Sequence, residues 1–435
     1  MTLPAFIITA VAAFFLFRLP RQFAPLPLMI GASYVTLGPS IDIGPFHFTV
    51  IRILIAVGVL RVLAKRERLR GPRHLLDNLV ILWGVWVVVS CFFHEDFSEI
   101  IVFRLGLAYN GLGIYFLLRI FLRDEKDAVG LFRLVLLALI PIAFEMVNEG
   151  ITGRNFFSTF GGVAELSEIR GGKIRAQGPF GHSILAGTVG ALCLPMAIYF
   201  WKSNRKLCLI GLATAGSIVI ASRCSGPILT SMFGCLALGL WVVRDKLRLI
   251  RWTIILGVAA LALIMDAPLY YLLARIDLTG SSTGYHRAIL IEASIRYFSD
   301  WWLWGTDYTL HWTPNAGFGK DTDITNHYLR MGVWGGMPLM IIFISILVVA
   351  FAAVGEALRR KARAPFQERF LIWTMGSILF AHVATMMSVS YFDQSVFFIY
   401  LALAAIGSLR TNARTPLVTT PGAAASNAEN IVHHS

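Results

Sequence analysis

The sequence predicts an all-α protein that crosses a membrane many times, and three observations support this fold class. Of the 435 residues, 57% are hydrophobic and only 14% are charged, which is about half the charged fraction of an ordinary soluble domain. Apolar stretches long enough to cross a bilayer recur along the chain. Lys and Arg collect in alternate connections between those stretches. These observations exclude a disordered chain and a soluble enzyme with an ordinary polar surface.

Thirteen apolar stretches are candidate transmembrane helices of a polytopic bundle. An alternative interpretation joins the first two, which are short, into one hairpin and leaves 12 spans. No basic residue precedes the first stretch and no small-residue cleavage site is visible, so we expect an uncleaved anchor. The candidates cover residues 3–17, 23–38, 46–64, 77–93, 100–122, 128–148, 181–201, 207–222, 227–243, 252–267, 326–355, 370–390 and 392–409.

The distribution of basic residues predicts the orientation of the chain. Connections rich in Lys and Arg alternate with connections poor in them, such as 94–99. This is the positive-inside pattern, and it predicts that the basic clusters and the C-terminus are cytoplasmic. Two long segments, 149–180 and 268–325, then lie outside, and the second contains a predicted amphipathic helix over 285–299. The basic clusters cover residues 61–73, 119–126, 202–206, 244–251 and 359–369.

Residues 1–410 therefore form one predicted transmembrane domain. Residues 411–435 are rich in Ala, Thr, Asn and Pro, and they are predicted to form a disordered cytoplasmic tail. The net charge of +13 follows from the topology and does not predict a nucleic-acid partner. The five cysteines lie in apolar runs, are odd in number and lack a Cys-x-x-Cys spacing, so neither a disulfide framework nor a zinc site is expected. Neither a metal nor a cofactor is predicted.

Three arginines on the predicted outer side are candidates for binding a diphosphate. Basic residues there run against the insertion bias, and these three stand near glycines at the membrane edge. They are Arg175 in the stretch 175–182, Arg223 in the turn 222–227 and Arg287 in the stretch 284–287. Arginine offers a planar fork of donors that suits phosphate, and glycine lets a ligand approach the backbone. A lipid diphosphate presents its phosphates at this depth, so we expect these arginines to bind one.

Other charged and titratable residues stand near the same predicted depth. Arg52 and Arg104 lie in the outer halves of their spans, at a depth similar to that of Glu145. Intramembrane charges are costly and suggest function, and a structural Arg–Glu pair is the competing interpretation. At the entrance of a late span, His327 is a candidate general base, because the unperturbed pKa of histidine, about 6.5, suits proton transfer near neutral pH.

Four pieces of the sequence together resemble a known family. They are Arg175-x-x-Gly178-x-x-x-His182, Ser222-Arg223, Tyr285-His286-Arg287 with the later Trp304-Gly305, and Asn326-His327-Tyr328-Leu329 with Gly332 and Gly335-Gly336. Their order, spacing and outer placement resemble the O-antigen ligase / O-antigen polymerase superfamily of bacterial membrane glycosyltransferases. The resemblance covers residues 150–345, a little under half of the chain.

The last piece departs from the pattern of the ligases, in which His directly precedes Asn. Here Thr325 precedes Asn326, and His327 follows it. Successive helical residues point about 100° apart, so the two positions face different ways. Either the start of the helix is locally shifted or His327 is not the family's base. In the second case Asp323 is the rival.

The resemblance implies a reaction and its partners. Such proteins use undecaprenyl-diphosphate-linked glycans as donors at the outer, periplasmic face of the bacterial inner membrane, without a metal or a nucleotide sugar. Ligases pass the glycan to lipid A–core, whereas polymerases join repeat units into O-antigen or exopolysaccharide. The departure at Asn326 favours a polymerase; a ligase is the alternative, and a polysaccharide transporter or flippase is the alternative from another class. His182, His286, Asn326 and Trp304 are candidate substrate contacts.

Overall fold

The computed structural model describes residues 1–36, 38–95, 97–275, 284–313, 317–318, 321–392 and 394–411. Helices dominate this part of the chain, and its strands form three two-stranded hairpins. The helices are α1 (Leu3–Arg18), α2 (Pro25–Tyr34), α3 (Val50–Ala64), α4 (Leu75–Val89), α5 (Phe97–Phe121), α6 (Glu125–Ala138), α7 (Ile140–Thr152), α8 (Ser183–Tyr199), α9 (Arg205–Ala221), α10 (Ser225–Gly239), α11 (Leu247–Ile264), α12 (Gly284–Arg296), α13 (Phe298–Trp301), α14 (His327–Arg360), α15 (Phe366–Met386) and α16 (Ser395–Thr411). The strands are β1 (Ser40–Ile43), β2 (Phe46–Thr49), β3 (Glu168–Arg170), β4 (Lys173–Arg175), β5 (Gly317–Phe318) and β6 (Asp321–Thr322), paired antiparallel in chain order.

The predicted fold class is confirmed: the protein is an all-α polytopic bundle. Every predicted span contains a helix. In the part of the chain just defined, six continuous helical stretches are long and apolar enough to cross a bilayer. One of them, Ser225–Ile264, contains α10, a short 3-10 turn and α11. No residue of α11 is buried against the protein, so in a bilayer lipid chains surround it.

The first two predicted spans form two separate helices. Thr2 and Thr36, which flank α1 and α2, donate hydrogen bonds to the carbonyls of Phe160 (2.9 Å) and Gly161 (2.6 Å). The chain therefore leaves one end of the bundle through α1 and returns to it through α2. This arrangement fits both the interpretation with thirteen candidates and the hairpin interpretation.

Three predicted boundaries were wrong. Residues 46–49 were assigned to the third span. In the structure, Phe46–Thr49 is strand β2, which pairs with β1, and α3 begins only at Val50. The first outer segment was predicted to begin at 149, but α7 continues until Gly153 ends it in a left-handed conformation. The predicted amphipathic helix divides at Tyr297 into α12 and α13. Residues 412–435 of the predicted tail lie outside the described residues.

The predicted basic clusters meet at one end of the bundle, here called the basic end. Except for Arg61, which pairs with Glu67 in the connection that follows its own helix, basic residues here pair with acids at the start of another helix, which places these helix ends side by side. The pairs are Arg61–Glu67 (2.8 Å), Arg119–Asp77 (3.2 Å), Arg21–Asp127 (2.8 Å), Lys361–Glu125 (2.6 Å) and Lys361–Glu368 (2.7 Å). The connection between α8 and α9 lies at the same end, since its Lys202 is 4.4 Å from the ring centroid of Phe366 at the start of α15.

The opposite end, here called the site end, gathers the segments that were predicted to lie outside. The backbone N–H of Ala176 donates to the carbonyl of Ala221 at 3.1 Å. The Asn326 amide donates to the carbonyl of Met387 at 3.1 Å, and the Gln394 amide donates to the carbonyl of Pro179. The alternation of charge along the sequence therefore corresponds to two distinct ends of the folded chain.

Helix α14 is broken near the site end, which the sequence did not predict. Gly335 and Gly336 leave the helical conformation, and Gly336 has a φ of 73°. Backbone groups freed inside a bilayer must find partners within the protein, and the 302–306 loop supplies them. Met337 N–H donates to Trp302 O at 2.7 Å, and Thr306 N–H donates to Val333 O at 2.9 Å.

We predict that Gly336→Ala destabilises the protein, because a Cβ there would lie 2.2 Å from the carbonyl oxygen of Leu303 and would adopt a strained φ. The expected loss in the free energy of unfolding is about 2 kcal/mol or more. Thermal unfolding in detergent measures it. Gly355→Ala is the matched control on the same helix, since its Cβ would meet only Arg359 Nη1 at 3.7 Å. Equal melting temperatures for the two variants would contradict this account of the break.

Candidate functional site

A buried carboxylate in the last turn of α7 holds the loop that carries two predicted site residues. Glu149 is fully buried. Its side chain accepts hydrogen bonds from the backbone N–H groups of Gln177 (3.1 Å) and Gly178 (2.8 Å), and from Ser167 Oγ at 2.8 Å. Gly178 adopts a φ of 56°, which an L side chain rarely tolerates. Glu149 therefore fixes the path of the chain between Arg175 and His182.

Arg175 lies beside the turn that carries Arg223. Its side chain is buried, Nη2 donates to Cys224 Sγ at 2.6 Å, and Nη1 lies 3.5 Å from a carboxylate oxygen of Glu168. Its Nε is buried without a hydrogen-bond partner. The strand that ends at Arg175 and the turn that carries Arg223 are about fifty residues apart in sequence, and this contact brings them together. A single site that contains both arginines requires such a contact.

Arg223 is exposed and adopts a φ of 51°. Non-glycine residues with positive φ are uncommon and often stand at functional positions. Its neighbours hold the turn in place: Ser222 Oγ donates to Val219 O at 2.7 Å, and Cys224 Sγ donates to Ser222 O at 3.0 Å. The turn keeps Arg223 at the surface of the site end while both of its neighbours are buried.

His182 connects the Arg175 region with Asp323. It is the N-cap of α8, and its Nδ1 accepts the N–H of Ile184 at 3.1 Å. Burial lowers the pKa of His182, and the nearby charge of Arg175 lowers it further, while the carboxylates of Glu168 and Asp323 raise it. The ring is therefore neutral at neutral pH and lies within electrostatic range of both charged groups.

The start of α12 contacts the segment before α14. His286 Nε2 lies 3.0 Å from the carbonyl oxygen of Asp323 and donates to it. The next residue, Arg287, is half-buried, its Nε has no hydrogen-bond partner among the described residues, and burial lowers its pKa. The Asp323 residue itself is exposed at this position. Through these contacts, Arg287 and Asp323 belong to the same end as Arg175 and Arg223.

The two residues at the start of α14 have structural partners. Asn326 is the N-cap, and its side-chain oxygen accepts the N–H groups of Tyr328 (2.9 Å) and Leu329 (3.1 Å). His327 is buried, and its Nδ1 accepts the N–H of Tyr391 at 3.1 Å. A neutral imidazole has one acceptor nitrogen, so in His327 that nitrogen is already used and Nε2 carries the proton. This geometry weakens the prediction that His327 is the base.

Trp304 also has a packing role. Its ring stacks on Phe93, with 3.6 Å between centroids, and on Trp86, with 5.6 Å between centroids. Its carbonyl accepts a hydrogen bond from His94 Nε2 at 3.0 Å. These contacts tie the 302–307 loop to the end of α4. Contact of Trp304 with a substrate stays a prediction.

A cavity of about 510 Å³ extends from the site end into the bundle. Its lining comes mainly from apolar residues of α2 to α5, α14 and α16. The polar lining residues are Arg52, Asn110, Asp323, His327, Arg330 and Gln394. The side-chain oxygens of Asn110 and Gln394 are buried without a hydrogen-bond partner. Such a cavity, largely apolar with a few polar groups, is typical of a binding site for an organic ligand.

Sequence reasoning missed Arg330, Asn110 and Gln394 as cavity residues. Arg330 follows Asn326 by one helical turn, which was the available signal. Its Nη2 donates to Ile324 O at 3.2 Å. Asn110 and Gln394 are single amides in or beside apolar stretches, and sequence alone does not say whether such an amide faces a neighbour or a cavity.

Glu145 does not form the expected ion pair with Arg52 or Arg104; all three side chains have other partners. Glu145 accepts the backbone N–H of Phe156 at 2.9 Å. Arg104 lies 5.4 Å from the ring centroid of Trp334. Arg52 donates to the backbone carbonyl of His47 at 2.5 Å. Both arginines therefore remain within the bundle without the predicted carboxylate.

Comparison with known proteins assigns no family: no family model matches the chain, and no curated protein matches it significantly. The resemblance to the O-antigen ligase / O-antigen polymerase superfamily stays a prediction. Within the residues that the structure covers, no group of three or more His, Cys, Asp or Glu side chains could hold a metal ion.

We predict that the stability of the site end depends on pH through His182. Its pKa in the folded chain is below the ordinary value of about 6.5. As the pH falls below about 6.5, the unfolded chain takes up the proton first, so the free energy of unfolding decreases. His182→Asn keeps a side-chain cap without titrating. Melting temperatures between about pH 7.5 and pH 5 should therefore fall more steeply for the unsubstituted chain. Parallel curves would show that His182 does not titrate as its surroundings require.

Proposed function

We propose that this protein is a membrane glycosyltransferase that polymerises undecaprenyl-diphosphate-linked glycan repeat units at the outer face of the bacterial inner membrane. The observation that carries the proposal is the gathering of Arg175, Arg223, Arg287 and Asp323 at the end of the bundle opposite the basic clusters. On this proposal the basic end and the C-terminus are cytoplasmic and the site end faces the periplasm, as the positive-inside pattern predicts.

Arginines at the site end have donors to spare for an anionic ligand. Among the described residues, Arg175 and Arg287 each keep a buried Nε without a hydrogen-bond partner. The Nη1 of Arg175 lies 3.5 Å from a carboxylate oxygen of Glu168, whose side chain is nearly half exposed. A guanidinium with spare donors in a partly dried site stabilises a developing diphosphate charge more strongly than it would in water.

The proposed step is a single displacement. The oxygen of an acceptor hydroxyl bonds to the anomeric carbon of the donor sugar, and the bond between that carbon and the diphosphate oxygen breaks. The electron pair leaves with the polyprenyl diphosphate, where arginine side chains stabilise it. A base takes the hydroxyl proton. Asp323 suits this role better than His327, because Asp323 is exposed at the site end whereas Nδ1 of His327 already accepts a hydrogen bond.

The alternatives differ in their acceptor or their class. A ligase would use the same site and pass the glycan to lipid A–core; Thr325 in place of the ligases' His favours the polymerase. A polysaccharide flippase would need charged groups along a path through the membrane. Arg52 and Arg104 within spans are the observation in its favour. Longer glycan on the polyprenyl lipid identifies a polymerase, and glycan on lipid A–core identifies a ligase.

We predict that Arg287→Gln strongly reduces polymer formation. Loss of one contact to the developing charge typically lowers a rate about 10²–10³-fold. Polymer is measured in cells whose own copy is deleted, at matched protein level in the membrane. Arg154→Gln is the control at the same end, because Arg154 is exposed and lies 3.9 Å from an exposed Glu165. Polymer at the unsubstituted level with Arg287→Gln would contradict the diphosphate role.

A second pair of variants tests the base. We predict that Asp323→Asn lowers turnover at least about 10²-fold, because an amide cannot take up the hydroxyl proton, while binding of the lipid-linked donor is retained. His327→Gln keeps an acceptor for the N–H of Tyr391, and we expect it to lose less activity. The reverse order of the two variants would return the role of base to His327.

A further inference from the structure

Arg52 stands between two cavities. It lies one turn inside α3 and lines the 510 Å³ cavity, and it also lines a second one of about 370 Å³. The second cavity, here called the side groove, is formed by β2 and by residues 105–109 of α5. Arg52 is therefore the basic side chain that both spaces share.

The position of the guanidinium is well defined. Nη1 donates to His47 O at 2.5 Å, and the Tyr109 hydroxyl donates to the carbonyl of Arg52 itself at 3.2 Å. Gly106 makes room for the head group, because a Cβ there would lie 2.0 Å from Arg52 Nη2. Nε is buried without a hydrogen-bond partner. The guanidinium is thus held by the carbonyl of His47 and fits beside the small residue Gly106, and it keeps donor capacity.

The side groove opens on the outer surface of the bundle. Phe46, Leu105 and Tyr109 in its lining are each more than one-third exposed. In a membrane protein exposed apolar residues are ordinary, since lipid chains cover them. A cation in the wall of an apolar groove is not ordinary, because an uncompensated charge there is costly. Phe103, which is exposed beside the groove, also lines the inner cavity and makes the two spaces neighbours.

We infer that the side groove is a lateral entrance through which a polyprenyl diphosphate passes from the bilayer into the central cavity, with Arg52 binding its phosphates on the way. The apolar walls suit an isoprenoid chain, and the guanidinium suits the anionic head group. This inference rests on the proposed function for the identity of the lipid. It concerns binding and passage rather than the transfer reaction.

Photo-crosslinking tests the entrance. The full chain carries benzoylphenylalanine in place of Leu105 in the side groove or, as the matched control, in place of Leu256 on the lipid-facing helix α11, which is 64% exposed. Each protein is placed in vesicles that contain radiolabelled polyprenyl diphosphate. We expect labelling at position 105 to exceed labelling at position 256 by about tenfold. In the protein that carries the crosslinker at position 105, Arg52→Gln should lower labelling about tenfold, as for loss of one charged hydrogen bond. Arg52→Lys should retain most of it.

Three results would overturn the inference. Equal labelling at 105 and 256 would mean contact with bulk lipid, and this comparison does not depend on the folding of any Arg52 variant. Unchanged labelling with Arg52→Gln would remove the role of the charge. Loss of labelling with excess phosphatidylglycerol would indicate a site for any anionic lipid rather than for a polyprenyl diphosphate.

The outcome of the crosslinking experiment can be distinguished from the failure of the proposed function. Specific labelling at position 105 in a protein that transfers no glycan would leave the entrance intact and refute the glycosyltransferase. Glycan transfer by a protein with equal labelling at both positions would refute the entrance alone.

Discussion

The interior of a bilayer contains no water that could form hydrogen bonds with unpaired backbone groups. The site depends on how the protein supplies hydrogen bonds to the backbone where α14 breaks. The 302–306 loop satisfies the backbone groups that Gly335 and Gly336 release. The loop can do so because Trp304 stacks on Phe93 and anchors it to the end of α4. The segment that carries His327 and Arg330 is thereby held apart from the rest of the helix, with both side chains lining the cavity.

A second consequence of the low dielectric is that buried charges need partners. At the basic end, Arg61 and Arg119 form buried ion pairs with Glu67 and Asp77. At the other end the buried carboxylate of Glu149 accepts backbone donors, so it positions a loop and leaves Arg175 to other partners. Among the described residues, the Nε atoms of Arg175 and Arg287 lack hydrogen-bond partners, and these spare donors are the physical reason to expect an anion.

Hydropathy and charge alternation predicted the fold class, the presence of helix in every span and the two ends of the bundle, because both depend on properties that each residue carries by itself. Three features were not predicted: the break in α14, strand β2 and the division at Tyr297. Each depends on which distant group forms hydrogen bonds with the local backbone, and the sequence does not show which groups meet in the fold. The same limit applies to His327. Its position at a span entrance favoured a base, but the N–H of Tyr391, 64 residues later, decides which nitrogen is protonated.

The most direct test of the central claim is turnover by the purified protein. The full chain in lipid nanodiscs is incubated with a synthetic undecaprenyl-diphosphate-linked repeat unit, and the lipid-linked products are measured by mass spectrometry. We expect lipid-linked glycans longer by whole repeat units, with release of undecaprenyl diphosphate. Unchanged donor with a folded protein, both alone and with lipid A–core as acceptor, would contradict the claim that this bundle transfers glycan.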